Sequence, residues 1–194
     1  MQVRALWTLA LVASLAGLTL TAMAAEAVDL KVGDAAPTFT STDDEGKPWK
    51  SEDHVGKQIV VVYFYPADCT GGCTKQAKGF QADLKKLKDK GVEVVGVSAD
   101  SVENHKIFKK LEKLEFTLLA DTDLSVAKAF GVPHTAAKGT AKTTVDGKEV
   151  ILNRDGTAKR WTFVIGKDKK ILLKNDKVNA PEDSQQVLKL VEGL

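Results

Sequence analysis

One segment of the chain, residues 58–65, consists almost entirely of β-branched and aromatic residues. A strand that is apolar at every position, rather than at alternate positions, is typical of the interior of a parallel sheet with helices on both faces. Pro66 follows this segment and cannot donate a hydrogen bond to a neighbouring strand, so the strand should end there. The segment therefore predicts a central strand that is buried on both faces.

Helical and strand patterns alternate after this central strand. From Thr74 onward, apolar residues recur at helical spacing with charged residues between them. Two further apolar segments, residues 92–97 and 116–119, have the length of buried strands, and Asp100 or Ser101 can cap a helix between them. An order of strand, helix, strand, helix and strand predicts parallel pairing through right-handed crossovers.

The C-terminal third of the chain changes to strands without helices between them. Residues 148–152, 158–165 and 170–174 have strand patterns, and the two turns that join them are short enough for antiparallel hairpins. Residues 134–147 are rich in Thr, Ala, Lys and Gly and are predicted to form a loop. A last helix follows Pro181. These patterns together predict an α/β fold with a mixed central sheet and helices on both faces.

The beginning of the chain has the pattern of a secretory signal peptide. Arg4 precedes an uncharged apolar stretch over residues 5–20, and Ala24 closes an A-x-A site of the kind that a signal peptidase prefers. Such a stretch is short for a membrane span, which needs about 20 residues, although an uncleaved anchor is the alternative. We expect a signal peptide over residues 1–24 and an exported domain over residues 25–194, periplasmic or secreted, without stable membrane association after cleavage.

The composition limits the partners of the chain. Its 28 basic and 26 acidic residues give a formal net charge of +2, whereas nucleic-acid binding usually requires a concentrated basic face. We therefore expect no nucleic-acid partner. The sequence contains neither a zinc-ligand constellation nor a phosphate-binding glycine loop, so no cofactor and no metal are expected. These patterns leave open whether the protein is a monomer or a homodimer.

The two cysteines of the chain, Cys69 and Cys73, enclose just three residues. A disulfide that closes so short a loop restricts the unfolded chain little, so a disulfide between these two cysteines would stabilise the fold little. Cys73 lies where the central strand gives way to the first helix, and the N–H groups of a helix N-terminus favour an anion. In such a position the pKa of a cysteine can fall from ~8.5 to ~3.5–7.5, which generates a nucleophilic thiolate. This placement predicts a reactive sulfur at Cys73.

Three motifs around this sulfur resemble those of peroxiredoxins. Pro66, Thr70 and Cys73 match the P-x-x-x-T-x-x-C signature of that superfamily. Residues 95–101 and 160–165 resemble the second strand and the R-x-T-F-x-I strand of its bacterioferritin-comigratory-protein branch, also called peroxiredoxin Q. The resemblance implies a thioredoxin-like fold and a thiol-dependent peroxidase that acts on hydrogen peroxide and organic hydroperoxides. It also implies an external thiol or a thioredoxin-like protein as the reductant.

The resemblance assigns roles to four residues. Cys73 is the peroxidatic cysteine, whose thiolate attacks the peroxide and becomes a sulfenic acid. Thr70 carries the hydroxyl that hydrogen-bonds the thiolate and the peroxide, and Arg160 provides a guanidinium beside the sulfur. Pro66 shields the site from water. An arginine stays protonated at any relevant pH, so it favours a neighbouring thiolate.

The chain departs from this branch around the reactive cysteine. Many members carry a resolving cysteine five residues after the peroxidatic one, and here that position is Lys78. Gly71 stands where the branch commonly has proline, and an extra thiol, Cys69, lies four residues before Cys73. We hypothesise that Cys69 resolves the sulfenic acid by forming a disulfide with Cys73. The alternative is a one-cysteine enzyme that an external thiol reduces directly.

Two other functions fit parts of the same pattern. A thiol–disulfide oxidoreductase of the thioredoxin type uses C-x-x-C, whereas this chain has C-x-x-x-C. Copper-binding proteins of the SCO type carry C-x-x-x-C and a distant histidine, and soft thiolates suit Cu(I). His134 is the candidate third ligand, and His54 and His105 are weaker candidates. The match to the peroxiredoxin signature favours the peroxidase.

Overall fold

The structure, a computed structural model, describes residues 28–194. The predicted signal peptide over residues 1–24 lies outside the described residues. Within the described range, none of the helices combines the length and the apolar character that crossing a membrane requires.

The strands and helices of residues 28–194 are numbered in chain order. The strands are β1 (Thr40–Asp43), β2 (Pro48–Lys50), β3 (Ile59–Phe64), β4 (Val92–Ser98), β5 (Thr117–Ala120), β6 (His134–Thr135), β7 (Gly139–Val145), β8 (Lys148–Arg154), β9 (Thr157–Ala158), β10 (Trp161–Ile165) and β11 (Ile171–Asn175). The helices are α1 (Gly71–Asp89), α2 (Val102–Glu112), α3 (Ser125–Ala129) and α4 (Asp183–Glu192).

Seven strands form one mixed sheet in the order β11-β10-β3-β4-β5-β1-β2. Strands β3, β4 and β5 are parallel to one another, and α1 and α2 connect them. On the other side of β3, β10 pairs with it antiparallel, and β11 pairs antiparallel with β10. The predicted parallel core is therefore confirmed, and so is the antiparallel hairpin formed by the last two strands.

The central strand β3 is buried at every residue, as its composition predicts. Side chains that point to one face, such as Tyr63, join a hydrophobic cluster to which α1, α2 and α4 contribute. Side chains that point to the other face, such as Phe64, join a second cluster to which α3 contributes. Helices thus cover both faces of the sheet, which confirms the predicted architecture.

The segment before β8 differs from its prediction. Residues 134–147, predicted to be a loop, contain β6 and β7, so that prediction is wrong. β7 and β8 form an antiparallel hairpin of seven residue pairs outside the main sheet. The hairpin predicted between residues 148–152 and 158–165 is also wrong, because β8 takes β7 as its partner and β10 joins β3 instead.

The turn between β7 and β8 explains this hairpin. Asp146 and Gly147 have φ values of 50° and 79°. A two-residue turn with positive φ at both positions matches the right-handed twist of paired strands, and Asp-Gly is a strong sequence signal for it. This turn outweighs the low strand propensity of the Lys, Ala and Gly residues in β7. β8 therefore pairs with the strand before it rather than with the strand after it.

Replacing Gly147 by alanine tests the contribution of this turn. An added Cβ would meet no atom within 4 Å there, but the φ of 79° is unfavourable for a residue that has one. We expect Gly147→Ala to lower the free energy of unfolding by about 1 kcal/mol, measured by urea denaturation. Gly71→Ala is the matched control, since its Cβ would also meet no atom within 4 Å and its backbone is helical. An equal loss of stability in both variants would contradict this explanation.

Candidate active site

The predicted reactive cysteine lies in the first turn of α1, directly after the loop that leaves β3. The Cys73 side chain is 2% exposed, and its Sγ accepts a hydrogen bond from Nη2 of Arg160 at 3.1 Å. Arg160 directly precedes β10, and the antiparallel register sets Trp161 opposite Phe64, the last residue of β3. The sheet thereby brings together two residues that are 87 positions apart in the chain.

Gly72 leaves the space that the guanidinium occupies. A Cβ built at Gly72 would lie 3.3 Å from Nη2 of Arg160, which is closer than nearly all ordinary Cβ contacts. A Cβ built at Gly71 would meet no atom within 4 Å. The close approach of Arg160 to the helix therefore favours a glycine at position 72, whereas packing places no such limit on position 71.

Thr70 is the N-cap residue of α1, but its side chain does not cap the helix. Its hydroxyl donates to the carbonyl of Ala67 at 2.9 Å, and its own carbonyl accepts from the N–H of Thr74 at 2.8 Å. The resemblance implies a hydroxyl that bonds both the sulfur and the peroxide. In this structure the hydroxyl proton is donated within the loop, so the Thr70 oxygen is available to a peroxide as an acceptor.

Two buried side chains hold the Arg160 guanidinium in place. Nη1 of Arg160 donates to Oε1 of Gln76, and Nε2 of Gln76 donates to Oδ2 of Asp183 at 2.7 Å. Thr162 donates to the same carboxylate oxygen at 2.7 Å. Since an amide has one donor end and one acceptor end, its two partners fix which way Gln76 points. A line of contacts therefore runs from α4 through α1 to the reactive sulfur.

Asp183 is fully buried at the start of α4. This burial raises the pKa of its carboxyl, although the hydrogen bonds from Thr162 and Gln76 act in the opposite direction. Neither Gln76 nor Asp183 was predicted from the sequence to be a residue of the site. A signal existed for Gln76, because it follows Cys73 by three residues and lies on the buried side of α1. For Asp183, the sequence indicated only that a helix begins there.

Cys69, the predicted resolving cysteine, lies in the loop with a left-handed φ of 55°. Burial, together with the charge of Asp68, raises the pKa of its thiol to about 12. Cys69 is therefore a neutral thiol near neutral pH. Both Cys69 and Cys73 are free thiols, so the structure represents the reduced form and their disulfide stays a prediction.

Pro66 is half-buried and borders a cleft of about 290 Å³. Proline and alanine side chains supply apolar walls, and the cleft is open to solvent. Its lining consists of Pro66, Pro133, His134, Thr135, Thr157, Ala158 and Lys159.

The three histidines pair with groups other than the two cysteines. His54 pairs with Glu93, His105 pairs with Asp68, and His134 hydrogen-bonds a backbone carbonyl. Among residues 28–194, no group of three or more His, Cys, Asp and Glu side chains could hold a metal ion. The described residues therefore give no support to the SCO-type alternative.

Cys73 is buried at the start of the helix that follows the central strand, and Arg160, directly before the adjacent antiparallel strand, donates a hydrogen bond to its sulfur. This arrangement defines a thiol redox site on a thioredoxin-like sheet. The sequence profile described as the AhpC/TSA family matches residues 32–174. This match covers most of the chain, and the chain belongs to the AhpC/TSA family.

Similar proteins agree with this assignment. The chloroplastic peroxiredoxin Q of Sedum lineare is 40% identical over 163 residues, which cover 84% of this chain and 78% of that protein. Several other plant relatives match over about half of their own length. The crystal structure of peroxidoxin BcpB from Mycobacterium tuberculosis is similar with a TM-score of 0.70 and 29% identity, over 86% of this chain and 99% of that one.

A structure of the bacterioferritin comigratory protein from Xanthomonas campestris is similar with a TM-score of 0.67 and 26% identity, over 84% of this chain and 96% of that one. Together with the family match, these similarities confirm the predicted thioredoxin-like fold, the resemblance to peroxiredoxin Q and the thiol-dependent peroxidase activity. They do not favour a copper-binding protein or a thiol–disulfide oxidoreductase.

Replacing Gln76 by methionine tests the contacts that hold Arg160. Methionine has a similar length but bonds neither the guanidinium nor the Asp183 carboxylate, so Arg160 loses its fixed position. We expect Gln76→Met to lower the second-order rate constant of Cys73 with hydrogen peroxide about tenfold, or about 1.4 kcal/mol, measured by stopped-flow fluorescence. Gln186→Met is the control, since exposed Gln186 bonds Asn175 on the surface. Equal rate constants in Gln76→Met and the parent would rule this role out.

Proposed function

We propose that this thiol-dependent peroxidase reduces hydrogen peroxide and organic hydroperoxides through a sulfenic acid at Cys73. The contact of 3.1 Å between Nη2 of Arg160 and Sγ of Cys73 carries the proposal. It sets a permanently charged guanidinium against the sulfur that the proposal makes the nucleophile. The thiolate is the form of cysteine that acts as a nucleophile.

The first step consumes one peroxide molecule for each thiolate. The Cys73 thiolate attacks one oxygen of the peroxide as the O–O bond breaks, and the second oxygen leaves with the electron pair of that bond. The leaving oxygen takes up a proton and departs as water or as an alcohol, while Cys73 becomes a sulfenic acid. The Arg160 guanidinium stabilises the negative charge as it moves from the sulfur to the leaving oxygen.

Thr70 and Pro66 complete the proposed site. The Thr70 oxygen accepts a hydrogen bond from the peroxide O–H, because its own proton is donated to Ala67. This bond orients the peroxide toward the sulfur. Pro66, half-buried beside the reactive loop, limits the access of water to the sulfur.

The cleft beside Pro66 supports organic hydroperoxides as substrates. Its volume of about 290 Å³ and its proline and alanine walls suit the carbon chain of such a molecule. Alkyl peroxide reduction is an activity of the Xanthomonas campestris relative. Pro66 belongs both to this cleft and to the proposed site, whereas hydrogen peroxide needs no cleft.

Cys69 resolves the sulfenic acid in the proposed cycle. Its thiolate attacks the sulfur of the Cys73 sulfenic acid, hydroxide leaves and is protonated to water, and a disulfide forms between the two cysteines. An external dithiol of the thioredoxin type then reduces this disulfide. Because Cys73 is 2% exposed, the first turn of α1 opens in this cycle before the two sulfurs meet. Gly71 and Gly72 lie in that turn, and their low helix propensity favours its opening.

Cysteine variants separate the two proposed roles. Cys73→Ser should abolish peroxide consumption with dithiothreitol as the reductant. Cys69→Ser should still react with peroxide but accumulate the sulfenic acid at Cys73, which mass spectrometry of trapped protein detects. Because the pKa of Cys69 is about 12, disulfide formation in the parent should become faster as pH rises through the neutral range.

Two outcomes would decide against parts of this cycle. A parent protein in which peroxide oxidises Cys73 while Cys69 stays a free thiol would exclude Cys69 as the resolving cysteine and support the one-cysteine alternative. Peroxide consumption that survives Cys73→Ser would overturn the proposed site itself.

Export belongs to the same proposal and rests on the signal-peptide pattern of residues 1–24. The plant relatives are named chloroplastic, which is a location of those proteins. An exported enzyme needs a reductant that is present outside the cytoplasm. The thioredoxin-type dithiol of the cycle would therefore belong to the periplasm or the cell exterior.

Expression of the full chain in a Gram-negative host tests export. We expect a periplasmic protein whose N-terminal residue is Ala25, because signal peptidase cleaves after the A-x-A site. N-terminal sequencing of the periplasmic fraction measures this. Leu15→Arg, which puts a charge into the apolar stretch, should keep the protein uncleaved in the cytoplasm. A membrane-bound protein that retains Met1 would instead support the uncleaved anchor.

A further inference from the structure

Four ionisable side chains lie buried beneath the loop that carries Cys69 and Thr70, and the proposed cycle uses none of them. Tyr65, Asp68, Asp100 and His105 are each at most 1% exposed. They come from the end of β3, from the reactive loop, from the turn after β4 and from α2. Burying ionisable groups is costly unless they are paired and hydrogen-bonded, so a cluster of four requires an explanation.

Asp68 is the centre of this cluster. Its Oδ2 lies 2.7 Å from Nδ1 of His105, and its Oδ1 accepts a hydrogen bond from the Tyr65 hydroxyl at 2.7 Å. Its backbone N–H donates to Oδ2 of Asp100 at 2.9 Å. Three different elements therefore hold one residue of the loop, at its carboxylate and at its backbone.

Asp100 is itself fixed on the side away from the loop. The Ser98 hydroxyl donates to its Oδ2 at 2.9 Å, and the Asn104 amide donates to its Oδ1 at 3.0 Å. The same Asn104 amide nitrogen donates to the carbonyl of Asn153 in β8 at 2.9 Å. The loop is thus tied to rigid parts of the sheet and of α2, and through Asn104 to the β7–β8 hairpin.

His105 supplies a counter-charge to Asp68, while burial and the charge of Asp68 raise the pKa of the second carboxyl, Asp100. Burial lowers the pKa of His105, but the carboxylate of Asp68, aided by Asp100 and by the backbone of Leu119, outweighs burial and raises it above 6.5. The protonated ring donates from Nδ1 to Asp68, which supplies the buried carboxylate with a counter-charge. Tyr65 adds a neutral donor, since burial raises the pKa of its hydroxyl far above the usual value.

The position of Asp68 in the chain connects this cluster to the reaction. Asp68 directly precedes Cys69 and lies two residues before Thr70, whose hydroxyl is fixed on Ala67 of the same loop. The cluster contacts neither the Cys73 sulfur nor Arg160. A displacement of about 1 Å in a group that orients a substrate can cost about 100-fold in rate. Anchoring the middle of this loop therefore controls where the Thr70 oxygen meets a peroxide.

We propose that His105 is a positioning residue of the peroxidase, which acts through Asp68 to hold the loop of Thr70 and Cys69 in the conformation that reacts with peroxide. This inference rests on the proposed function, since it assumes that Cys73 is the sulfur that attacks. His105 touches no reacting atom. Its contribution is to bond and to neutralise the carboxylate that anchors the loop.

Two substitutions of His105 provide the test. In His105→Asn the amide nitrogen takes the place of Nδ1 and still donates to Asp68, whereas His105→Leu keeps the bulk and removes the donor. Both variants are compared in a Cys69→Ser background, so that Cys73 is the single thiol. Two single-turnover rate constants are measured for each protein, one with hydrogen peroxide and one with iodoacetamide, which alkylates a thiolate without needing the Thr70 oxygen.

A positioning role predicts that the two reagents respond differently. We expect His105→Leu to lower the rate constant with peroxide about tenfold or more while the rate constant with iodoacetamide is unchanged or higher. His105→Asn should restore the peroxide rate constant to within about threefold of the background protein. The inference would be overturned if His105→Leu left the rate constant with peroxide unchanged. It would also be overturned if His105→Asn and His105→Leu lowered that rate constant equally.

A second measurement keeps the test decisive if His105→Leu does not fold. Tyr65→Phe removes the other donor to Asp68 with almost no change in volume, and it should lower the peroxide rate constant while sparing alkylation. Unchanged peroxide reactivity in the Tyr65→Phe protein would then overturn the inference. Cys73→Ser is measured in parallel. If the proposed function is wrong, Cys73→Ser still consumes peroxide; if only the inference about His105 is wrong, Cys73→Ser does not consume it.

The charge of the pair formed by His105 and Asp68 can also be tested through the pH dependence of the free energy of unfolding. Because the pKa of His105 is raised in the folded protein, its contribution is fully present below about pH 6.5 and is lost as pH rises through the raised value. The free energy of unfolding of the background protein should fall over that range. His105→Asn, which cannot titrate, should lack this fall, and the same fall in both proteins would show that His105 is not the charged partner of Asp68.

Discussion

The contact between the Arg160 guanidinium and the Cys73 sulfur is the interaction on which the rest of the structure depends. It exists because β10 lies antiparallel to β3 in the register that sets Trp161 opposite Phe64. A slip of one residue in this register would turn Arg160 to the other face of the sheet. The contact also needs the space above Gly72. The central sheet and the start of α1 thus act together to set one positive charge against one sulfur.

Two buried carboxylates lie near the site: one supports this contact and the other holds the loop before α1. Asp183 accepts from neutral donors, Gln76 and Thr162, and thereby orients the amide that holds Arg160. Asp68 has a cationic partner, His105, and thereby anchors the reactive loop. The guanidinium and the loop are each held by buried partners from several elements. Among the described residues, Oδ1 of Asp183 and Nε2 of His105 have no hydrogen-bond partner.

The parts of the site that local patterns encode could be predicted from the sequence, and the parts that depend on packing could not. The apolar run gave β3, and the spacing of the motifs pointed to Cys73 and Arg160. Gln76 and Asp183 are 107 positions apart and meet only because α4 packs against α1. The pairing of His105 with Asp68 likewise depends on how α2 lies against the loop. β7 escaped prediction because few of its side chains are buried, so it lacks an apolar alternation, and β8 was predicted as a strand but without β7 as its partner.

The burial of the Cys73 sulfur conflicts with the exposure that the proposed resolution by Cys69 requires, and the proposed first step eases this conflict. In the proposed cycle, the hydrogen bond between Arg160 and the Cys73 thiolate is charge-assisted and holds the first turn of α1 closed. A sulfenic acid carries no charge near neutral pH, so oxidation removes most of that attraction. The same turn begins with Gly71 and Gly72, which contribute little helix propensity. In the proposed cycle, reaction with peroxide therefore weakens this turn before the step in which Cys69 attacks Cys73.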